Sequence, residues 1–298
     1  MLQAKSKNGE LITPAMFPRD RLPLLKQESY YCPVCKGKVI LKAGKHVIPH
    51  FAHVDTENCP VASGGEGPYH EQGKLALYHW LKNQGLQVEM ECYLAEIKQR
   101  PDLLLQIGER IIAIEYQCAR VPHEEIITRT TGYHQAGIHV LWILGERLMK
   151  RRGSHVLILD SFTRTFIHQF NGTYPFSLFY FCPITRYFIK FQDFVFTTKT
   201  RAVGKLSVMP GRQMNIVDLL EKEYFPTSSL RSIWLDEKRR FRTNGLRNVV
   251  GDERKWLHWL YEKGYHLEQL PSIIHLPIKS AFLMKRPGWI WQSWLVLD

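Results

Sequence analysis

The pattern of apolar and polar positions changes three times along the chain. Residues 1–60 hold short strand-like pieces around Gly and Pro, among them "KGKVILKAGKHVIPHFAHV", with too few apolar positions to form a core unaided. A glycine-rich link, "ASGGEGP" at 62–68, leads into "YHEQGKLALYHWLKNQG". There Leu75, Leu77, Tyr78 and Leu81 fit helical spacing and Gly85 supplies a stop. A strand over 86–93 comes next, then "PDLLLQIGERIIAIEYQ" at 101–117, a helix over "HEEIITRTTGYHQAG", and a buried-looking strand "HVLWILG" ending at Gly145. The order helix, three strands, helix, strand predicts a mixed α/β sheet rather than a doubly wound parallel one. From about residue 150 the texture turns to aromatic alternation, "FIHQFNGTYPFSLFYFCPITRYFIKFQDFVF", with Asn171-Gly172 and Pro183 between strands. These aromatics read as core, with base stacking as the alternative. After about residue 213 helical periodicity takes over, as in "DERKWLHWLYEKGYHL" with Trp256, Trp259 and Leu260, preceded by the basic run "DEKRRFRTNGLR". Three segments are expected: 1–61, 62–150 and an α+β segment over 151–298 that is a candidate for binding DNA or a partner.

The 101–117 stretch places an acid near each end of an apolar run. Its one turn signal is Gly108-Glu109, and Gly in the first position suits a two-residue type II′ hairpin. That turn pairs Ile107 with Arg110 and Gln106 with Ile111, and carries the ladder down to Asp102 opposite Glu115. Directly opposed residues have Cβ atoms ~4.5–5.5 Å apart, where like charges destabilise the pair. A divalent cation, Mg²⁺ or Mn²⁺, removes the repulsion, because such ions are held by one or two carboxylates plus water and substrate phosphate. Period-two alternation puts Gln117 on the face of Glu115.

Composition adds a partner and a second metal. With 298 residues, 45% hydrophobic and 23% charged, the chain reads as globular. Its net charge of +12 favours polyanions, nucleic acid first. The N-terminal residues lack the apolar core of a secretory signal, and no run approaches the ~20 residues of a membrane helix, so a cytoplasmic protein with reduced thiols is expected. Of six cysteines, Cys92, Cys118 and Cys182 are scattered, whereas "CPVC" at 32–35 stands near "HFAH" at 50–53 and Cys59. Structural Zn²⁺ takes four such ligands tetrahedrally and lends folding free energy to a segment short of apolar mass. The favoured set is Cys32, Cys35, His53 and Cys59, with His50 as the alternative ligand or as a group supporting one.

The arrangement of Asp102 and then Glu115-Tyr116-Gln117 resembles the PD-(D/E)XK nuclease motif, with Gln117 where lysine normally stands. A neutral amide can orient an attacking water but cannot neutralise the charge that develops on the phosphate. The preceding helix offers Glu66, His70 and Lys74, spaced by four on one face. The resemblance assigns an acid from that helix to the metal, which fits Glu66; Lys74 would replace the strand lysine and His70 would assist proton transfer. Glu71 is the competing acid, about 100° away around the helix. A solvated helix face is the simpler alternative for all of them.

Taken in order, "YCPVCKGKVILKAGKHVIPHFAH", Cys59, "EGPYHEQGK", "RPDLLL", "IAIEYQ" and "ITRTTGYHQAGIHVLWILG", with the aromatic then helical C-terminal part, resemble the CoiA competence proteins of naturally transformable, mainly Gram-positive bacteria. One departure is "EGPYH", where the resemblance leads one to expect "GES" before the His-bearing turn. The resemblance implies a restriction-endonuclease-like core and a role in processing and recombining transforming single-stranded DNA. It also implies that Glu-x-Gln, and hence Gln117, is ordinary for the family, and it draws attention to Arg129 and Tyr133, which could hold a phosphate from one helix face. The expected function is therefore a metal-dependent DNA nuclease. The alternatives are an inactive DNA-binding recombination factor that recruits a recombinase, and a protein-interaction scaffold.

Overall fold

Short strands build the first sheet of the computed structural model, which describes residues 1–45, 47–55, 59, 67–243 and 249–298. Strands β1 (Ala4–Ser6), β2 (Leu11–Ile12), β3 (Tyr30–Tyr31), β4 (Lys38–Lys42) and β5 (His50–His53) lie in the order β2-β1-β3-β4-β5, with one short helix, α1 (Leu22–Leu25), between β2 and β3. Neighbouring strands are antiparallel. The core beneath them is small, as the sequence implies: Ala4, Tyr30, Cys32, Val39 and Phe51 are its buried members.

The second sheet follows from helix α2 (Pro68–Lys82), β6 (Gln87–Met90), β7 (Leu103–Ile107), β8 (Arg110–Gln117), α3 (His123–Gln135) and β9 (His139–Gly145). The remaining elements are β10 (Val156–Ile158), α4 (Ser161–Arg164), β11 (Ser177–Cys182), β12 (Tyr187–Phe196), β13 (Arg201–Pro210), α5 (Ile216–Leu220), α6 (Thr227–Thr243), α7 (Asp252–Glu262) and α8 (Gly288–Leu297). Its strand order is β10-β13-β12-β11-β9-β8-β7-β6. The sheet is mixed, because β8 pairs antiparallel with β7 and parallel with β9, the latter after a crossover through α3. Among the described residues no helix is long and apolar enough to cross a membrane.

The chain forms two compact units, one of residues 1–148, 179–189 and 208–220, the other of residues 149–178, 190–207 and 221–298. In the first, alternation sends Leu103 and Leu105 of β7 and Ile114 and Tyr116 of β8 to one face. Ala76, Leu77 and Leu81 of α2 share that cluster, so the helical stripe is buried by the strands. Phe179, Phe181 and Phe188 belong to the same core. In the second unit, Phe241, Trp256, Leu260, Leu267, Trp289 and Ile290 form a separate core. Phe191 and Phe194 of the aromatic stretch are buried in the second unit as well, so most of its rings are packing material.

The β7–β8 turn decides where the acids fall. Gly108 has φ of +58°, while Glu109 does not share this left-handed backbone, the combination of a type II′ turn. Pairing runs from Ile107 with Arg110 to Leu103 with Ile114. The ladder ends there, with Asp102 and Glu115 each one residue beyond the last pair.

Gly73 lets α2 approach β8, since a Cβ added there would stand 1.9 Å from Cε1 of Tyr116. The ring cannot retreat, being buried and tied through its hydroxyl to the Phe181 carbonyl at 3.0 Å. Ala is favoured over Gly in a helix by ~1 kcal/mol, but overpacking a buried contact costs about 1–3 kcal/mol and here should dominate. Gly73→Ala is expected to lower the midpoint of urea unfolding; an unchanged or raised midpoint would contradict this packing.

Candidate functional site

Two clusters of chemically capable side chains lie in the first unit. The first is built by the turn between β3 and β4. Cys32 N donates to Gly37 O at 2.8 Å, Lys36 N donates to Cys32 O at 3.0 Å, and Lys36 takes a left-handed φ of +60°. This tight loop turns the Cys32 and Cys35 thiols toward His53 of β5 and toward Cys59. The ligand atoms of these four residues all lie within 4.8 Å of one another. Cys32 Sγ stands 4.0 Å from Cys59 Sγ, and Cys35 Sγ stands 3.4 Å from His53 Nε2. A tetrahedral zinc with bonds of ~2.3 Å to sulfur and ~2.0–2.1 Å to nitrogen requires edges of about 3.8 and 3.5 Å, so this set can hold a metal such as zinc. Burial pushes the Cys32 thiol up to about 11, only partly offset by the backbone N–H groups of Cys35 and Val34. His50 takes a different place: its Nδ1–H donates to Ile48 O at 2.8 Å and stands 3.4 Å from Oε2 of Glu71. Glu71, the competing acid of the sequence reading, is buried there.

The second cluster gathers at the open end of the β7–β8 hairpin. Asp102 Oδ2 accepts from Tyr116 N at 2.9 Å, a cross-strand bond that fixes the carboxylate. Its Oδ1 faces α2, where Lys74 Nζ stands at 3.2 Å and His70 Nε2, one turn away, donates at 3.3 Å. Lys74 is fully buried and also donates to Glu91 Oε1 at 2.7 Å. Glu91 in turn accepts the backbone N–H groups of Leu2 and Gln3. Sequence reasoning missed Glu91. In "VEME" it alternates with Val88 and Met90, which assigns it to the solvated face; instead the backbone leaves β6 at a φ of +52° and turns the carboxylate inward. The positive φ has no sequence signature in a glutamate.

Glu115 is held from the other side. Its Oε1 accepts from Arg129 and from the Tyr133 hydroxyl, both on α3, and Arg129 also reaches the Arg100 carbonyl at 3.3 Å. The two residues singled out as phosphate contacts therefore meet the acid of β8. Gln117 donates from Nε2 to Ala119 O at 2.6 Å. Glu66, the proposed helix acid, lies outside the described residues. His70, Lys74, Asp102, Glu115, Arg129 and Tyr133 are brought together, by two helices acting on one hairpin.

The electrostatics separate the two acids. Burial raises the Asp102 carboxyl, but Lys74 and His70, with the Tyr116 N–H, outweigh it and hold the group well below the usual carboxylate range. Burial likewise raises Glu91, and Lys74 and Arg100 pull it down to about 2. Glu115 goes the other way: burial raises it, the Asp102 charge adds to this, and Arg129 and Tyr133 offset it only in part. A site whose second acid is pushed toward protonation by burial, and further by an ionised neighbour, is chemically suited to a divalent cation, which favours the charged form of both.

Comparison with known proteins agrees with this layout. Models of the competence protein CoiA match three successive parts of the chain: its N-terminal domain over residues 16–62, its nuclease-like domain over 66–224, and its C-terminal domain over 230–298. Competence protein CoiA of Bacillus subtilis (strain 168) is 32% identical over 275 residues, covering 92% of this chain and 72% of that protein. Both acids, both helices and the hairpin fall within the nuclease-like match, and the chain belongs to the competence protein CoiA family.

Proposed function

We propose that this chain is a metal-dependent, PD-(D/E)XK-type nuclease that acts in the cytoplasm on transforming single-stranded DNA or on recombination intermediates. The observation that supports it most is the pair of buried acids, Asp102 ionised and Glu115 pushed toward protonation, at the open end of one hairpin. Asp102 and Glu115 would hold Mg²⁺ or Mn²⁺, which supplies charge to offset that of a phosphodiester's oxygens. Lys74 keeps Asp102 ionised, and Arg129 and Tyr133 orient Glu115. His70 keeps a proton at Nε2 against Asp102, and Gln117 offers a neutral amide fixed by Ala119. The net charge of +12 favours a polyanionic substrate.

A second reading, a non-catalytic DNA-binding factor that recruits a recombinase, draws support from Lys74. Fully buried and shared between two acids, it presents no charge to a phosphate. We also read the Cys32, Cys35, His53 and Cys59 cluster as a structural Zn²⁺ site.

With Mg²⁺ or Mn²⁺, the wild-type protein should cleave single-stranded or branched DNA, and Asp102→Asn and Glu115→Gln should each slow cleavage about a hundredfold or more. Equal rates in all three proteins would remove the acids from the chemistry, and absence of cleavage with DNA binding intact would favour the recombination factor.

The acid limb of the stability curve gives an independent reading of Asp102. Its lowered folded pKa means that the unfolded state binds more protons, so its contribution is present at neutral pH and is lost as pH falls below about 3.9. Unfolding of Asp102→Asn should therefore depend less steeply on pH below that value than unfolding of the wild type.

Zinc content can be read by elemental analysis. About one zinc per chain is expected, lost in Cys35→Ser together with a drop in melting temperature, and retained in His50→Ala. Loss of zinc in His50→Ala would transfer the ligand role to that residue.

A further inference from the structure

The second unit contains a pocket that the acid site does not use. It is bounded by the end of β12, by α4, and by the segment from His275 to the start of α8. Arg164, Lys199, Lys285 and Arg286 line it, and among the described residues no Asp or Glu does. Lys199 and Lys285 are exposed and make no hydrogen bond or ion pair among the described residues. Arg286 shares an exposed contact with Asp252, and Arg164 lies over the ring of Phe196, 4.4 Å from its centroid. Like charges gathered without a carboxylate repel one another, and an anion removes that repulsion. The N-terminus of α8 adds to this, since Pro287, Gly288 and Trp289 line the pocket and no side chain caps the helix there.

One further feature is not explained by phosphate alone. Phe196 and Phe282 offer half-buried aromatic surface on the lining. His275, 3% exposed, also lines the pocket; its Nε2–H donates to the Thr197 carbonyl at 2.8 Å and its ring packs against Trp234, Phe241 and Trp289. Burial pushes this imidazole down to about 4, so it stays neutral at physiological pH. Aromatic surface beside cations suits a nucleotide, whose base stacks on a ring while its phosphate meets the lysines.

We propose that this pocket binds single-stranded DNA, with a phosphate on Lys199, Lys285 and the α8 N-terminus and a base against Phe196 and Phe282. The reading rests on the nucleic-acid reading of the whole chain and adds a strand-holding site to it. Such a site needs no metal, and its loss leaves the acids of the first unit untouched.

The test uses the full chain and a fluorescently labelled oligothymidylate, followed by anisotropy over a range of salt. Lys199→Ala/Lys285→Ala should bind about tenfold more weakly at low salt. Its slope of log K against log salt should be shallower by about 1.4, since each phosphate contact on a single strand contributes about 0.7. Melting temperature should not change, both side chains being exposed. Equal binding and equal slope in the double variant would overturn the pocket while leaving the nuclease-like reading in place. Absence of oligonucleotide binding by the wild type would overturn both. Displacement of the strand by thymidine monophosphate at an equal concentration of nucleotide would make the pocket a free-nucleotide site and overturn the strand-holding role.

Discussion

The first unit depends on one buried cation. Lys74 has no access to solvent and stands between Asp102 and Glu91, which come from opposite ends of the segment joining β6 to β7. An unpaired ammonium at that depth would be untenable, because desolvation costs several kcal/mol that only nearby carboxylates can offset. Two carboxylates on one ammonium would also leave excess negative charge, and the backbone N–H groups of Leu2 and Gln3 answer it at Glu91, as Tyr116 N and His70 answer it at Asp102. The result is a chain of obligations rather than a single bridge. Helix α2, the hairpin and the first residues of the chain are all committed to satisfying the same charge. Breaking any one member leaves another buried charge unpaired, which is the costly event in such networks.

The same arrangement gives the two acids different characters. Asp102 is governed from α2 by Lys74 and His70, and Glu115 from α3 by Arg129 and a tyrosine hydroxyl. Both stand just beyond the last pair of the β7–β8 ladder, and on top of burial separate helices act on each. Pairs of titratable groups whose environments push them apart are the usual mark of acid–base or metal chemistry. Their nearness is no accident of a loop: the type II′ turn at Gly108 and the uninterrupted pairing from Ile107 to Leu103 bring both to the same end of the hairpin.

What could be read in the sequence was what local periodicity dictates. The turn at Gly108-Glu109 fixed a register, and period-two alternation carried it five residue pairs to the site. The helices over 68–82 and 123–135 and the strand ending at Gly145 likewise follow from spacing and glycine stops. The choice of Cys32, Cys35, His53 and Cys59 over His50 agrees with the cluster, and the reason His50 stands aside, its contact with Glu71 of α2, is tertiary and left no trace in spacing. Glu91 was hidden by its own alternation, which a left-handed backbone overrides. Arg129 and Tyr133 were visible as a pair four apart on one face, but nothing local says that their partner is a glutamate on a neighbouring strand rather than a phosphate.

Gln117 and Lys74 together define how this site differs from one with a lysine on the strand. A strand lysine beside Glu115 would point along the same face and place its charge where a phosphate is attacked. Here that position carries a neutral amide whose nitrogen is already given to Ala119, and the lysine has moved to a helix and into the interior. From there it sets the charge state of Asp102 but cannot follow a substrate, because moving outward would strand both Asp102 and Glu91. If the site acts as proposed above, charge stabilisation of a phosphodiester would fall on a cation held by the acids and on groups that arrive with the substrate. On the nuclease reading proposed above, a lysine in this place would no longer act on the transition state but would keep Asp102 ionised as a metal ligand, and such a hairpin should depend on a bound metal more completely than one that keeps its strand lysine.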